Sequence, residues 1–177
     1  DPNGGEITGI WSTAGGMITT TLTSTYMIVP SNTGVGFVPA AVSTDIGAVA
    51  PSSFANMSNG ATVWLGREGF YIYQGGQVQL ASADQQNLVD RINWARAKGY
   101  RCWVPVDGSV ENNLCMIFDG QGWRRRYGES LVDVCVTRDH RRYTLGVGIA
   151  RKSEAEGQNG VWVLDHETRA YNPDGRT

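Results

Sequence analysis

Charge is scarce in this chain. Asp, Glu, Lys and Arg make up 18% of its 177 residues, against about 25% in an average soluble protein, and no charged side chain occurs between Glu6 and Asp45. Cysteine and histidine are scarcer still, at three and two residues. Cys102, Cys115 and Cys135 show no CxxC spacing and no nearby histidine, which leaves zinc ligation without support. Cys102 and Cys115 flank a turn near Gly108 and could face each other across a hairpin, but an odd count and apolar surroundings favour reduced, packed thiols. No run of about 18 apolar residues exists, so no membrane-spanning helix is expected. The aromatic content of 10% and the net charge of −2 argue against disorder, and the 23 glycines follow no Gly-X-Y period.

What charge there is lies unevenly. Residues 1–90 hold one base, Arg67, and six acids, a balance of −5, whereas residues 91–177 hold fourteen bases and eleven acids, a balance of +3. The neutral stretch before Asp45 is rich in Thr, Ser and Gly, a composition suited to strands that pack against neighbouring strands or another subunit. The sequence opens Asp1-Pro2-Asn3-Gly4-Gly5 without Met and closes on the turn-like Asn172-Pro173-Asp174-Gly175, so it reads as an excerpt of something longer.

Four segments share one form, an apolar strand, a short Gly, Asp or Asn turn, and a second strand with aromatic or apolar residues. They begin near Met17, Val63, Leu114 and Val161, at steps of 46, 51 and 47 residues. Each unit has room for about four short strands, the length of a propeller blade. The fold expected is therefore all-β, a β-propeller-like array of antiparallel four-stranded blades, a partial one, within residues 1–177 as a single unit. The competing arrangement is a Gly-rich sandwich with evenly spaced hairpins. Arg101–Val106 reads as a further strand, at an edge or bulge because of Pro105. Leu131–Val136 and Tyr143–Ile149 alternate at period two and predict an antiparallel pair. From Asp84 to Lys98 the chain loses Gly and Pro, and Leu88, Ile92 and Ala95 recur at helical spacing before Gly99, which predicts one helix near 84–98 between blades.

The segment Val42-Ser43-Thr44-Asp45-Ile46-Gly47-Ala48-Val49-Ala50-Pro51-Ser52-Ser53, followed by Val63-Trp64-Leu65-Gly66-Arg67-Glu68-Gly69-Phe70-Tyr71-Ile72-Tyr73-Gln74-Gly75-Gly76, resembles the β-propeller of short-tailed bacteriophage tail nozzle proteins, the tail-tube or stabilisation components below the portal. The likeness is clearest over residues 42–98 and weaker through Asp119–Trp123. It implies a structural virion protein of the tail rather than an enzyme. Its copies would form a homo-oligomeric ring, taken as a hexamer, around the DNA channel, docked to the portal or head-completion protein and to tail tip or fibres.

Catalytic patterns are sparse. His140 lies in the charged turn Arg138-Asp139-His140-Arg141-Arg142, and His166-Glu167 lacks the second His of a zinc-protease helix. Neither a G-x-S-x-G elbow nor a phosphate-binding Gly-Lys-Ser/Thr loop occurs. Asp133 with Asp139, or Asp165 with Glu167, could serve as a carboxylate pair only at a separation the sequence does not fix. No metal or cofactor is expected. On a strand Arg124 and Arg126 share one face and Arg125 takes the other. With Arg138, Arg141 and Arg142 they are the candidate subunit contacts, or non-specific contacts with phosphates of passing DNA. The alternative function is a glycan-binding or glycan-cleaving propeller that stacks sugars on Trp64 and Trp123, although such rings more often pack between sheets.

Overall fold

Alternation of apolar and hydroxyl residues builds the first sheet. In the computed structural model, which describes residues 5–97, 103–110, 112–118 and 122–127 and the backbone of three further strands within 129–163, β1 (Gly9–Thr13), β2 (Gly16–Thr20), β3 (Thr25–Pro30) and β4 (Phe37–Ser43) form an antiparallel meander in chain order. A second meander follows from β5 (Ala55–Asn56), β6 (Thr62–Gly66), β7 (Gly69–Gln74) and β8 (Gln77–Leu80). The third sheet sets β10 (Leu114–Phe118) between β9 (Trp103–Val104) and β11 (Trp123–Tyr127), and the fourth runs β12 (Glu129–Val136), β13 (Thr144–Ala150), β14 (Asn159–Val163). The chain is all-β, made of blade-like antiparallel sheets.

Met17, Val63 and Leu114 each lie on the second strand of their sheet, whereas Val161 lies on the third strand of the last. The phase slips because, among the described residues, β12 pairs with β13 and opens the fourth sheet, so the third and fourth sheets each show three strands there. The expected pair at 131–149 is β12 with β13, in register Cys135↔Leu145 with an irregularity between Leu131 and Asp133.

The second meander is the middle layer. Thr62 to Gly66 are all buried because the strand is covered on both faces. Val63, Leu65 and Phe70 pack with Leu88, Val104, Leu114 and Met116, towards the third sheet. Trp64 and Tyr71, one residue out of step, pack with Ile18, Met27 and Phe54, towards the first. Phe54 stacks between Trp11 and Trp64, with ring centroids 5.9 and 5.6 Å away. Hydroxyls that enter this interior are satisfied: Thr25 Oγ1 donates to the Ile46 carbonyl at 2.7 Å, and Thr20 Oγ1 shares a hydrogen bond with Thr8 Oγ1 at 3.3 Å.

Residues 44–54 join the first two sheets and lock them together. Ala48 N–H donates to Thr21 O and Val49 N–H to Leu65 O, at 2.9 and 3.0 Å. Ser53 Oγ donates to Ala50 O at 2.6 Å and accepts from Leu65 N–H at 2.8 Å. Gly47 sits where both sheets meet this crossover: its carbonyl accepts from Trp64 Nε1 at 3.1 Å, and a Cβ there would stand 2.1 Å from Thr21 O. No side chain fits.

The helix expected over 84–98 is a single turn. A 3-10 turn at Ala83–Gln85 leads into α1 (Gln86–Val89), and among the described residues the helix ends there. The reason lies in the backbone: Asn93 N–H donates to Pro105 O at 2.8 Å and Asp107 N–H to Arg91 O at 3.0 Å, so residues 91–93 pair with the strand-like segment 105–107. Ile92 and Val106 form an isolated antiparallel bridge. Leu88 and Ile92, which share a helix face in the sequence pattern, both enter the core by this other route.

The outer edge of the first sheet is β4. Ser31 N–H donates to Gly36 O at 3.0 Å. Counting from that bonded pair, the alternation of an antiparallel ladder puts Ile28↔Pro39 at a non-bonded position. The ring nitrogen of Pro39, which has no hydrogen to donate, therefore lies on the open edge, where proline costs no ladder bond.

Candidate interaction surface

The tryptophans and arginines singled out by the sequence separate into packing groups and surface groups. Trp64 is wholly buried, its face on Phe54 and its N–H on Gly47. That corrects its assignment as a surface contact for sugars: a ring with both a stacking partner and a bonded nitrogen inside the core presents nothing to a ligand. Trp123 is half-buried, lies 5.2 Å from the Phe70 ring and 4.8 Å from the Phe118 ring, and donates from Nε1 to Ala81 O at 2.7 Å. Its contacts are structural as well.

Arg125 turns to the helical segment, where its guanidinium donates to Gln85 Oε1 at 2.7 Å. Arg124, opposite Ile117, is exposed, and Arg126 occupies the register position opposite Cys115. Cys115 is buried as a thiol. Arg138, Arg141, Arg142, His140, His166, Asp139, Asp165, Glu167 and Cys102 lie outside the described residues, and of Asp133 only the backbone is described.

Two polar groupings are present, one built from pairs close in sequence and one from residues 16 positions apart. Tyr71 Oη donates to Glu68 Oε2 at 3.3 Å, and Ser43 Oγ donates to Asp45 Oδ1 at 2.7 Å. Burial, reinforced by the Glu68 carboxylate, pushes the Tyr71 phenol up to about 12. In the second, Arg91 grips Asp107: Nε donates to Oδ1 at 2.7 Å, and a second bond joins Nη2 to Oδ2. The hydrogen bond from Arg91 holds the Asp107 carboxyl below its ordinary value. Asp107 has φ of 56°, a left-handed turn geometry that Asp tolerates better than most residues. Among the described residues no three His, Cys, Asp or Glu side chains gather as a metal site would require. The space among Phe70, Leu88, Val89, Ile92, Leu114 and Met116 has no room for a water molecule.

The surface that stands out is the outer face of the first sheet. Ile18 and Met27 point inward, so the register puts Ile10, Met17, Ile28 and Pro39 on the opposite face, with Phe37 at its end. Ile10 is 58% exposed, Met17 45% and Phe37 73%. Tyr26 belongs to the same face and is buried. None of these residues was a candidate from sequence alone. The signal was the uncharged stretch between Glu6 and Asp45, which has the composition of a covered sheet on both of its faces.

No protein-family model, curated protein or solved structure matches the chain.

Proposed function

We propose that this protein is a structural component of a short-tailed phage tail, a nozzle or tail-tube subunit below the portal, whose copies assemble into a ring around the DNA channel and carry the tail tip or fibres. The observation that supports it is the interlock at Gly47. The residues that carry the family resemblance, 42–53 and 63–76, are those that bind one antiparallel meander to the next, through Ala48 to Thr21, Val49 to Leu65 and Trp64 to Gly47. A hydrogen-bonded joint between successive sheets suits a subunit that holds its shape within a ring. Exposed apolar side chains on an uncharged sheet suit subunit contacts better than a solvated surface.

Purified protein mixed with portal particles tests this reading. Ring-shaped oligomers seated on the portal by electron microscopy are the expected result, together with antibody labelling of the tail in intact virions. A protein that stays away from both portal and tail overturns it.

A further inference from the structure

Asp107 is followed by a glycine, and the turn the two make is open to solvent. Ser109 N–H donates to Val106 O at 3.1 Å across it, with Asp107 at φ of 56° and Gly108 at 74°, the mirror-image turn that Asp-Gly favours. Both residues are exposed. Nothing lies within 4 Å of a Cβ built on Gly108, and among the described residues its amide donates no hydrogen bond. An aspartate beside so bare an amide is open to an intramolecular reaction. The Gly108 nitrogen attacks Cγ of the protonated side chain; the N–Cγ bond forms, the amide proton leaves, and the Cγ–OH bond breaks to release water. Water then opens the cyclic imide, and opening at the main-chain carbonyl leaves isoaspartate, an isomer whose peptide bond runs through Cγ.

We propose that Asp107 is a latent isoaspartate site and that Arg91 is the residue that keeps it unreacted. Arg91 bonds one carboxylate oxygen from Nε and the other from Nη2, so the side chain must release both before Cγ can meet the Gly108 nitrogen. Charge acts in the same direction. Only the protonated acid can lose water, and the hydrogen bond from Arg91 lowers the Asp107 carboxyl pKa, which leaves less of that form. Among the described residues Tyr127 is the other titratable group that acts on the pair, through Arg91.

The modification strikes a joint of the fold. Asp107 N–H donates to Arg91 O at 3.0 Å, and the Asn113 side chain bonds both Val106 N–H and Val106 O, at 2.8 and 3.2 Å. An extra methylene in the main chain at 107 puts this pairing out of register, next to the buried side chains of Ile92 and Val106. Guarding the site therefore protects the attachment of residues 91–93 to the third sheet.

Peptide mapping of the full chain after ageing in warm buffer tests this, using a protease that cuts before aspartate but not before isoaspartate, with circular dichroism to confirm that each sample stays folded. Arg91→Gln is expected to accumulate isoaspartate at 107 about threefold or more faster than wild type near pH 6, and the ratio to fall towards one as pH drops through the ordinary aspartate value near 3.9. A ratio that is the same at every pH means that the turn has merely loosened, and overturns the role of Arg91. High salt needs no variant: it is expected to speed the reaction in wild type, whose ion pair is exposed, and to leave Arg91→Gln unchanged. Wild type unfolded in urea is expected to isomerise at 107 faster than the folded chain; equal rates overturn the protection. Folded Arg91→Gln that stays unreacted at 107 overturns the site itself.

Discussion

The indole nitrogen of Trp123 donates to the carbonyl oxygen of Ala81, 42 positions earlier, at 2.7 Å. This bond ties the edge strand of the third sheet to the chain just after β8. Trp11 does the equivalent between the first and second sheets: its Nε1 donates to Asn56 Oδ1 at 3.0 Å, while Asn56 Nδ2 returns a bond to Ser12 O at 3.0 Å. Two joints between layers thus use a tryptophan that both fills space and closes a hydrogen bond.

Replacing Trp123 by Phe keeps a ring beside Phe70 and Phe118 and removes the donor to Ala81. Urea unfolding should register a loss of about 1–2 kcal/mol, the usual cost of one hydrogen bond and its orphaned acceptor. Trp123→Ala should cost about 3–5 kcal/mol, because the packing goes too. Equal losses in the two variants would mean that the nitrogen contributes nothing.

Gly47→Ala forces a methyl to within 2.1 Å of Thr21 O. The obstacle is backbone and cannot rotate away, so the crossover must separate from the first sheet. Destabilisation of about 3 kcal/mol or more is expected, above the usual range for overpacking. Gly15→Ala is the control: nothing lies within 4 Å of its Cβ position, and its unfolding midpoint should move by less than about 0.5 kcal/mol.

Alkali should weaken the protein through Tyr71. An unfolded tyrosine ionises near pH 10, while the folded phenol, buried and beside Glu68, holds its proton up to about 12. Across that window the unfolded chain binds fewer protons than the native one, so stability falls as pH rises from about 10 to 12. Tyr71→Phe should flatten this limb of a stability profile relative to wild type. A profile identical to wild type in that range would remove Tyr71 as its source.

Acid acts on the other pair. Asp107 has its carboxyl pKa lowered by Arg91, so its contribution is complete above the ordinary aspartate value near 3.9 and disappears as pH falls below it. Both side chains are substantially exposed, at 44% and 54%, and salt should shrink the effect. Asp107→Asn and Arg91→Gln should each remove the same part of the acid limb, and the double variant should remove no more than either. Additive losses would contradict a shared origin.

The residues that announced the sheets and those that misled did so for one reason, the identity of each segment's neighbours. Val63-Trp64-Leu65 gave a strand but no hint of which layer each side chain would meet, and only the stacked arrangement sends Val63 and Leu65 one way and Trp64 the other. The apolar spacing of Leu88 and Ile92 fitted a helix, yet the carbonyl of Pro105 and the amide of Asp107 claimed the backbone around Ile92. A local pattern loses when a distant segment offers better bonds. The three arginines in a row were readable as alternating positions, because a strand leaves no other choice. The exposed face of Ile10, Met17 and Phe37 was hidden for the opposite reason: its composition is that of a buried sheet, and the register alone says which side is left uncovered.

Pro39 decides the direction in which this molecule can grow. A strand laid alongside β4 from another chain would look for an amide hydrogen at that position and meet a ring carbon instead, so one of its own carbonyls would be left dry and unbonded. Lateral extension of the sheet, the route that leads to fibrils, is penalised at the middle of the edge strand. Layering, one sheet upon another, carries no such penalty, and it is the direction in which the exposed side chains point.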